Sequence, residues 1–205
     1  MKKLLSIASL VSLAFVAGHA GAAATVGQAA PAFTATDASG KAVSLADFKG
    51  KTVVLEWVNP GCPFVQKHYN AANMQGTQKD AAGKGVVWLT INSTSTDAGD
   101  YLPPAEMAKW MQQQKAAHSA MLMDADGKVG RAYGARTTPH MYVVDPAGKL
   151  VYAGGIDDKP STNVADIPRA TNYVKAALNE SLAGKPVSQA NTRPYGCSIK
   201  YSSGA

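Results

Sequence analysis

Two cysteines, Cys62 and Cys197, are the only thiols in a chain of 205 residues, and they are its best candidates for covalent chemistry. Cys62 stands in the stretch EWVNPGCPFVQKHY (56–69), behind the loop signal Asn59-Pro60-Gly61 and directly before Pro63. Proline at a first helical position loses no hydrogen bond, so this pattern predicts a helix with the sulfur at its mouth. Unpaired N–H groups and the positive end of the helix dipole favour negative charge there, and such a cysteine is a recognised site of thiolate formation. Lys67 and His68 add positive charge farther along. Cys197 lies in RPYGCSIKY, where Pro194 and Gly196 turn the chain just ahead of it. An even cysteine count permits pairing, either as a staple that pins the tail or as a redox couple, and the spacing does not choose between them. The segment from Gly184 to Cys197, at roughly 3.3 Å per extended residue, is long enough to bring Cys197 across the domain. It can therefore meet the Cα separation of about 4.4–6.8 Å that a disulfide requires.

The elements that must hold these sulfurs read as follows. Residues 25–38 are extended, with a turn at Ser39-Gly40-Lys41 and a short helical turn that Gly50 closes. TVVLEWV (52–58) and VVWLTI (86–91) are rich in apolar and β-branched residues and read as buried strands. Between them a helix is expected over 62–82, ended by Gly83. NSTSTDAGDYLPP reads as a polar surface insertion, and AEMAKWMQQQKAAH as a helix with Pro104 near its start. After AMLM, the turn DADG and a small helix KVGRAYG, the sequence predicts a hairpin with strands over 140–144 and 149–153. A last helix is expected over 167–182, with Pro168 in its first turn, followed by a polar, irregular tail. Crossover helices between strands imply a parallel core, and the hairpin adds antiparallel strands, so the fold class is α/β with a mixed central sheet flanked by helices.

The start of the chain, MKKLLSIASLVSLAFVAGHAGAAA, shows the charge, hydrophobe and small-residue order of a secretory leader. Its apolar run falls short of the roughly 20 residues of a spanning helix. The expected division is a leader over 1–24, one domain over 25–184 and a tail over 185–205 that carries the second cysteine. The expected location is outside the cytoplasm, periplasmic or secreted, without stable membrane insertion after cleavage. The formal charge of +6 includes Lys2 and Lys3 of this leader, and the other basic residues are scattered. No basic stripe of the kind that binds nucleic acid is present.

Several pieces together carry a family resemblance. PAFTATDASGKAVSLADFKGKTVVLEWV resembles the opening of exported redoxins of the thioredoxin fold, and Thr138-Pro139 before YVVD resembles that fold's cis-proline loop. GCPFVQKHY, TTPHMYVVDPAGKLVYAGGIDD, LAGKPV and GCSIKY are together similar to its peroxiredoxin-like, AhpC/TSA-related branch. The resemblance implies thiol redox chemistry with Cys62 as nucleophile, Cys197 as its resolver, and Thr138 and a cis Pro139 facing an extended substrate. It further implies a buried acid, Glu56, that assists proton transfer, as against a strand-edge carboxylate facing solvent. No organic or metal cofactor is implied; the partner is a thiol or disulfide protein, or a peroxide. The sequence departs from both parent patterns. The proline and hydroxyl residue upstream of a peroxidatic cysteine are replaced by Leu55 and Asn59, and Pro139 stands where peroxiredoxins place an arginine. Val65 stands where a C-x-x-C pair has its second cysteine, which leaves Cys197 to resolve Cys62.

A rival reading is a non-enzymatic copper- or partner-binding module, suggested by His68, His118 and His140 with Met74, Met121, Met123 and Met141. The methionines are expected instead to fill core gaps. Asp157-Asp158 reads as a solvated loop.

Overall fold

The computed structural model describes residues 23–203. The leader expected over 1–24 lies outside the described residues, except for Ala23 and Ala24. Among the described residues no helix is long and apolar enough to cross a membrane.

Among the described residues, seven strands form one sheet: β1 (Thr34–Asp37), β2 (Ala42–Ser44), β3 (Val53–Trp57), β4 (Val87–Asn92), β5 (Ala120–Met123), β7 (His140–Val144) and β8 (Leu150–Gly154). Their order is β2-β1-β5-β4-β3-β7-β8. β3, β4 and β5 run parallel, while β7 and β8 extend the β3 side as the expected antiparallel hairpin. Two further short strands, β6 (Thr137–Thr138) and β9 (Cys197–Ser198), pair with each other outside this sheet.

Alternation in the central strands divides the core into two layers. Val54 and Val58 join residues of α1 (Pro63–Asn70), α2 (Asn73–Gly83), α3 (Pro104–Gln113) and α5 (Tyr173–Leu182) on one face. Val53, Leu55 and Trp57 join α4 (Lys128–Tyr133) and the N-terminal segment on the other. Met74, Met121 and Met141 are buried in the first layer, with Met123 packed against it, so these methionines do fill the core.

Two expectations on element bounds and one on burial are corrected. The single helix over 62–82 is two helices, broken at Ala71 and Ala72, where Ala72 takes a left-handed φ of 55°. Side chains stabilise the break: the Gln75 amide donates to the Tyr69 carbonyl (2.9 Å), and the Asn73 amide meets His68 Nδ1 (2.8 Å). The helix over 167–182 is likewise divided. Pro168 sits in a 3-10 helix (Val164–Arg169), and α5 begins anew behind Asn172, whose side-chain oxygen accepts from Lys175 N–H (2.9 Å). The polar insertion after β4 is not a surface feature at its start: Asn92, Ser93, Thr94 and Ser95 are buried.

Candidate functional site

The ends of β3 and β4, the mouth of α1 and the loop before β7 converge on Cys62. The chain leaves β3 through Asn59-Pro60-Gly61, and the Asn59 side chain holds this turn: its oxygen accepts from Gly61 N–H (2.8 Å), and its amide donates to Asp100 (2.9 Å). Cys62 is the N-cap of α1, with Pro63 at the first helical position and no side chain capping the first turn. The Cys62 carbonyl accepts the first helical bond, from Gln66 N–H (2.9 Å). The sulfur thus stands where unpaired amides and the helix dipole favour negative charge.

Cys62 is joined to Cys197 in a disulfide, with Cα atoms 5.9 Å apart across a sequence separation of 135. The Thr138–Pro139 peptide bond is cis, as expected from the resemblance. Cys62 Sγ lies 3.1 Å from the Thr138 carbonyl oxygen. Thr138 is also the antiparallel partner of Cys197 in the β6–β9 pair. Cys62, Cys197, Thr138 and Pro139 therefore form one site. In this disulfide form Cys62 is 2% exposed, with Cys197 of the tail packed against its cluster.

Glu56 is part of a different constellation. It is fully buried on β3, so the solvent-facing alternative is excluded. Its carboxylate accepts from Tyr69 Oη (2.9 Å), Gln78 Nε2 (3.1 Å), Trp88 Nε1 (2.7 Å) and Thr90 Oγ1 (3.2 Å). Burial pushes its pKa up, against the pull of these donors. These bonds tie Glu56 to α1, α2 and β4.

The tail is the part of the site that sequence reasoning missed. It is a strap rather than an irregular end. The Thr192 N–H donates to the Ala153 carbonyl (3.1 Å), Ile199 N–H to Arg136 (3.0 Å), and Ser95 N–H to the Lys200 carbonyl (2.8 Å). Lys200 Nζ meets Asp100 (2.6 Å), which also holds Asn59. Tyr201 Oη donates to the Ala135 carbonyl (2.8 Å) over Gly130, where a side chain would strike the tyrosine. Close beside the disulfide, Tyr195 Oη donates to Asp157 Oδ1 (2.5 Å) and lies 3.1 Å from His68 Nε2. Asp157 is thus buried, not part of a solvated loop as its sequence suggested. Two signals in the sequence point to the strap: glycines at the contact points, and tyrosines in an otherwise polar tail.

The histidines of the copper reading lie in separate places. His68 faces Tyr195 and Asn73, and His140 faces Tyr142 and Arg136. His118 lies in the loop before β5. Desolvation holds His68 at about 4, against the pull of Asp157, and His140 at about 3. Among the described residues no group of three or more His, Cys, Asp or Glu side chains is placed to hold a metal ion.

Comparison with known proteins agrees with this architecture. Over 127 residues the chain is 28% identical to thiol-disulfide oxidoreductase ResA of Bacillus thuringiensis subsp. konkukian, covering 62% of this chain and 67% of that one. An uncharacterized conserved protein from Geobacillus kaustophilus superposes with a TM-score of 0.75 at 30% identity, covering 88% of this chain and 94% of that one. The thioredoxin domain of a thiol-disulfide oxidoreductase from Bacteroides vulgatus superposes at 0.50 with 30% identity, covering 63% and 87%. The fold is thioredoxin-like, as expected. Residues 26–153, which carry Cys62 and the cis-proline loop, match the AhpC/TSA family, and the chain belongs to that family.

Proposed function

We propose that this protein is a thiol-dependent oxidoreductase in which Cys62 is the exchanging nucleophile and Cys197 its resolving partner. The observation that carries the reading is the Cys62–Cys197 disulfide at the uncapped mouth of α1, against the Thr138 backbone. Reduced Cys62 attacks a disulfide of a partner protein: one partner sulfur becomes bonded to Cys62, and the other leaves as thiolate. The Cys197 thiolate then attacks Cys62 Sγ, which restores the internal disulfide and releases the second partner thiol. One disulfide is reduced and one is formed, with no further oxidant. The same steps in reverse oxidise a partner dithiol. The relatives include both thiol-disulfide oxidoreductases and peroxiredoxin-like proteins, and it is the local chemistry that favours exchange over peroxide reduction. Leu55 is buried in the core, and the Asn59 side chain is engaged with Gly61, Thr94 and Asp100. Neither offers a hydroxyl to a peroxide at Cys62. Export, suggested by the leader, belongs to the same proposal and suits a protein that cycles through a disulfide.

The test is single-turnover exchange followed by mass spectrometry. Reduced protein should convert glutathione disulfide to two glutathione thiols while forming the internal disulfide. Cys62→Ser should abolish the reaction, and Cys197→Ser should stop with glutathione attached at Cys62. Equal reactivity of Cys62→Ser and the unaltered chain would overturn the assignment. Hydrogen peroxide consumed faster than glutathione disulfide would favour peroxidase action instead.

A further inference from the structure

The strap does more than deliver Cys197; the three residues Tyr195-Gly196-Cys197 each occupy a separate fixture. Cys197 pairs with Thr138 as a strand. Gly196 has a φ of 139°, and a Cβ there would run into the Thr138 carbonyl oxygen, so the position before the cysteine accepts only glycine. Tyr195 places its hydroxyl between Asp157 Oδ1 (2.5 Å) and His68 Nε2 (3.1 Å). Its ring lies edge-on to Phe64, with centroids 5.8 Å apart, and the Lys67 ammonium stands 5.8 Å from the ring centroid.

The tyrosine's pocket is built from groups that are expensive to bury. Lys67 and Asp157 are each 2% exposed and His68 is fully buried. Asp157 Oδ2 has no hydrogen-bond partner among the described residues. An apolar pocket around an apolar anchor would hold a permanent strap at least as firmly, because buried charges carry a large desolvation penalty. Polar groups meeting one phenol instead discriminate: without the hydroxyl, His68 Nε2 loses its partner and Asp157 Oδ1 keeps only the Lys159 N–H (2.9 Å). An open cavity of about 560 Å³ lined in part by Thr137, Asp158, Pro160 and Tyr173 adjoins the fixture and leaves room for flanking chain.

We propose that β6 and the Asp157–His68 pocket form a groove that recognises an extended polypeptide of the pattern tyrosine-glycine-cysteine, and that residues 195–197 are its tethered occupant. The inference rests on the thiol exchange proposed above. Partner strand and tail take the same edge by antiparallel pairing, so they exclude one another. Capture of a partner requires the tail to leave, and the returning tail expels the product.

The probe is the symmetric disulfide of a peptide copying residues 193–201, compared with peptide disulfides carrying Gly196→Ala or Tyr195→Ala, and with glutathione disulfide. In the Cys197→Ser chain, the Cys62 thiolate attacks the peptide disulfide, bonds one peptide sulfur and releases the other peptide as thiolate. The parent peptide should be captured about tenfold faster than either altered peptide, the scale of one hydrogen bond to a charged group. Adding Tyr195→Ala to the Cys197→Ser chain should speed parent capture further, because the peptide then displaces a mismatched occupant. The reduced, unaltered chain gives a second reading that requires no variant: its oxidation by the three peptide disulfides should follow the same order. Capture of all peptides at the same rate overturns the recognition proposal while leaving thiol exchange intact. A Cys62 that reacts with neither peptide nor glutathione disulfide overturns the exchange itself.

Discussion

Glu56 and the buried histidines are single residues whose burial bears directly on stability. Glu56 collects four donors from α1, α2 and β4, and a carboxylate offers about four acceptor positions. Glu56→Gln replaces one acceptor oxygen by a donor amide among groups that already donate. It should lower stability by about 2–3 kcal/mol, read from urea unfolding, while leaving the glutathione exchange of folded protein close to unaltered. His68 and His140 act through pH. Burial keeps both neutral when folded, at about 4 and about 3, the latter also disfavoured by Arg136. The unfolded chain therefore binds more protons below about 6.5, and stability falls as pH drops through the window between that value and the folded ones. Each histidine should cost about 2 kcal/mol between pH 7 and pH 5, at about 1.4 kcal/mol per unit. Glu56 and Asp124, whose pKa values burial raises, pull in the opposite direction, so the decisive measurement is a difference. The pH 7-to-5 loss in urea unfolding should shrink by about 2 kcal/mol in His140→Gln.

At the scale of elements, the break between α1 and α2 is the feature easiest to probe. Ala72 holds a left-handed φ of 55°, which costs a residue with a Cβ about 1–2 kcal/mol, while glycine loses about 0.5–1 kcal/mol through its freer unfolded chain. Ala72→Gly should therefore raise stability by up to about 1 kcal/mol in urea unfolding. The same break marks where sequence reading stopped. The apolar runs of β3 and β4, the Cys-Pro start of α1 and the turn of the β7–β8 hairpin are local patterns, and each matches the structure. The break at Ala71-Ala72 has no local signal, because alanine is the best helix former and the Gln75 and Asn73 side chains that stabilise the turn act only once both helices are placed. Burial of Asp157 was equally hidden, since an Asp-Asp pair reads as solvated until Tyr195 arrives from far along the chain. Thr138-Pro139 was legible only through family resemblance, because most Xaa-Pro bonds are trans.

Across the whole molecule, the disulfide closes a loop of 135 residues. In the chain-entropy account such a loop is worth about 5 kcal/mol, and measured native bridges give about 2–5 kcal/mol. Reduction should thus lower the urea midpoint markedly, and hydrogen exchange should quicken first at the amides of Thr192, Ile199 and Ser95 that tie the strap down. A drop in stability with those amides still protected would mean that the strap stays seated without its covalent link. The distance between the two cysteines has a further consequence for a newly made chain. Synthesis runs from the amino end, so the nucleophile emerges well before its mate, and the sheet around it can assemble while the last residues are still awaited. During that interval the young protein has an unpaired thiol and a vacant strand edge. Arrival of its last residues brings the second thiol to that edge, and the bond forms once a partner disulfide takes up the two electrons.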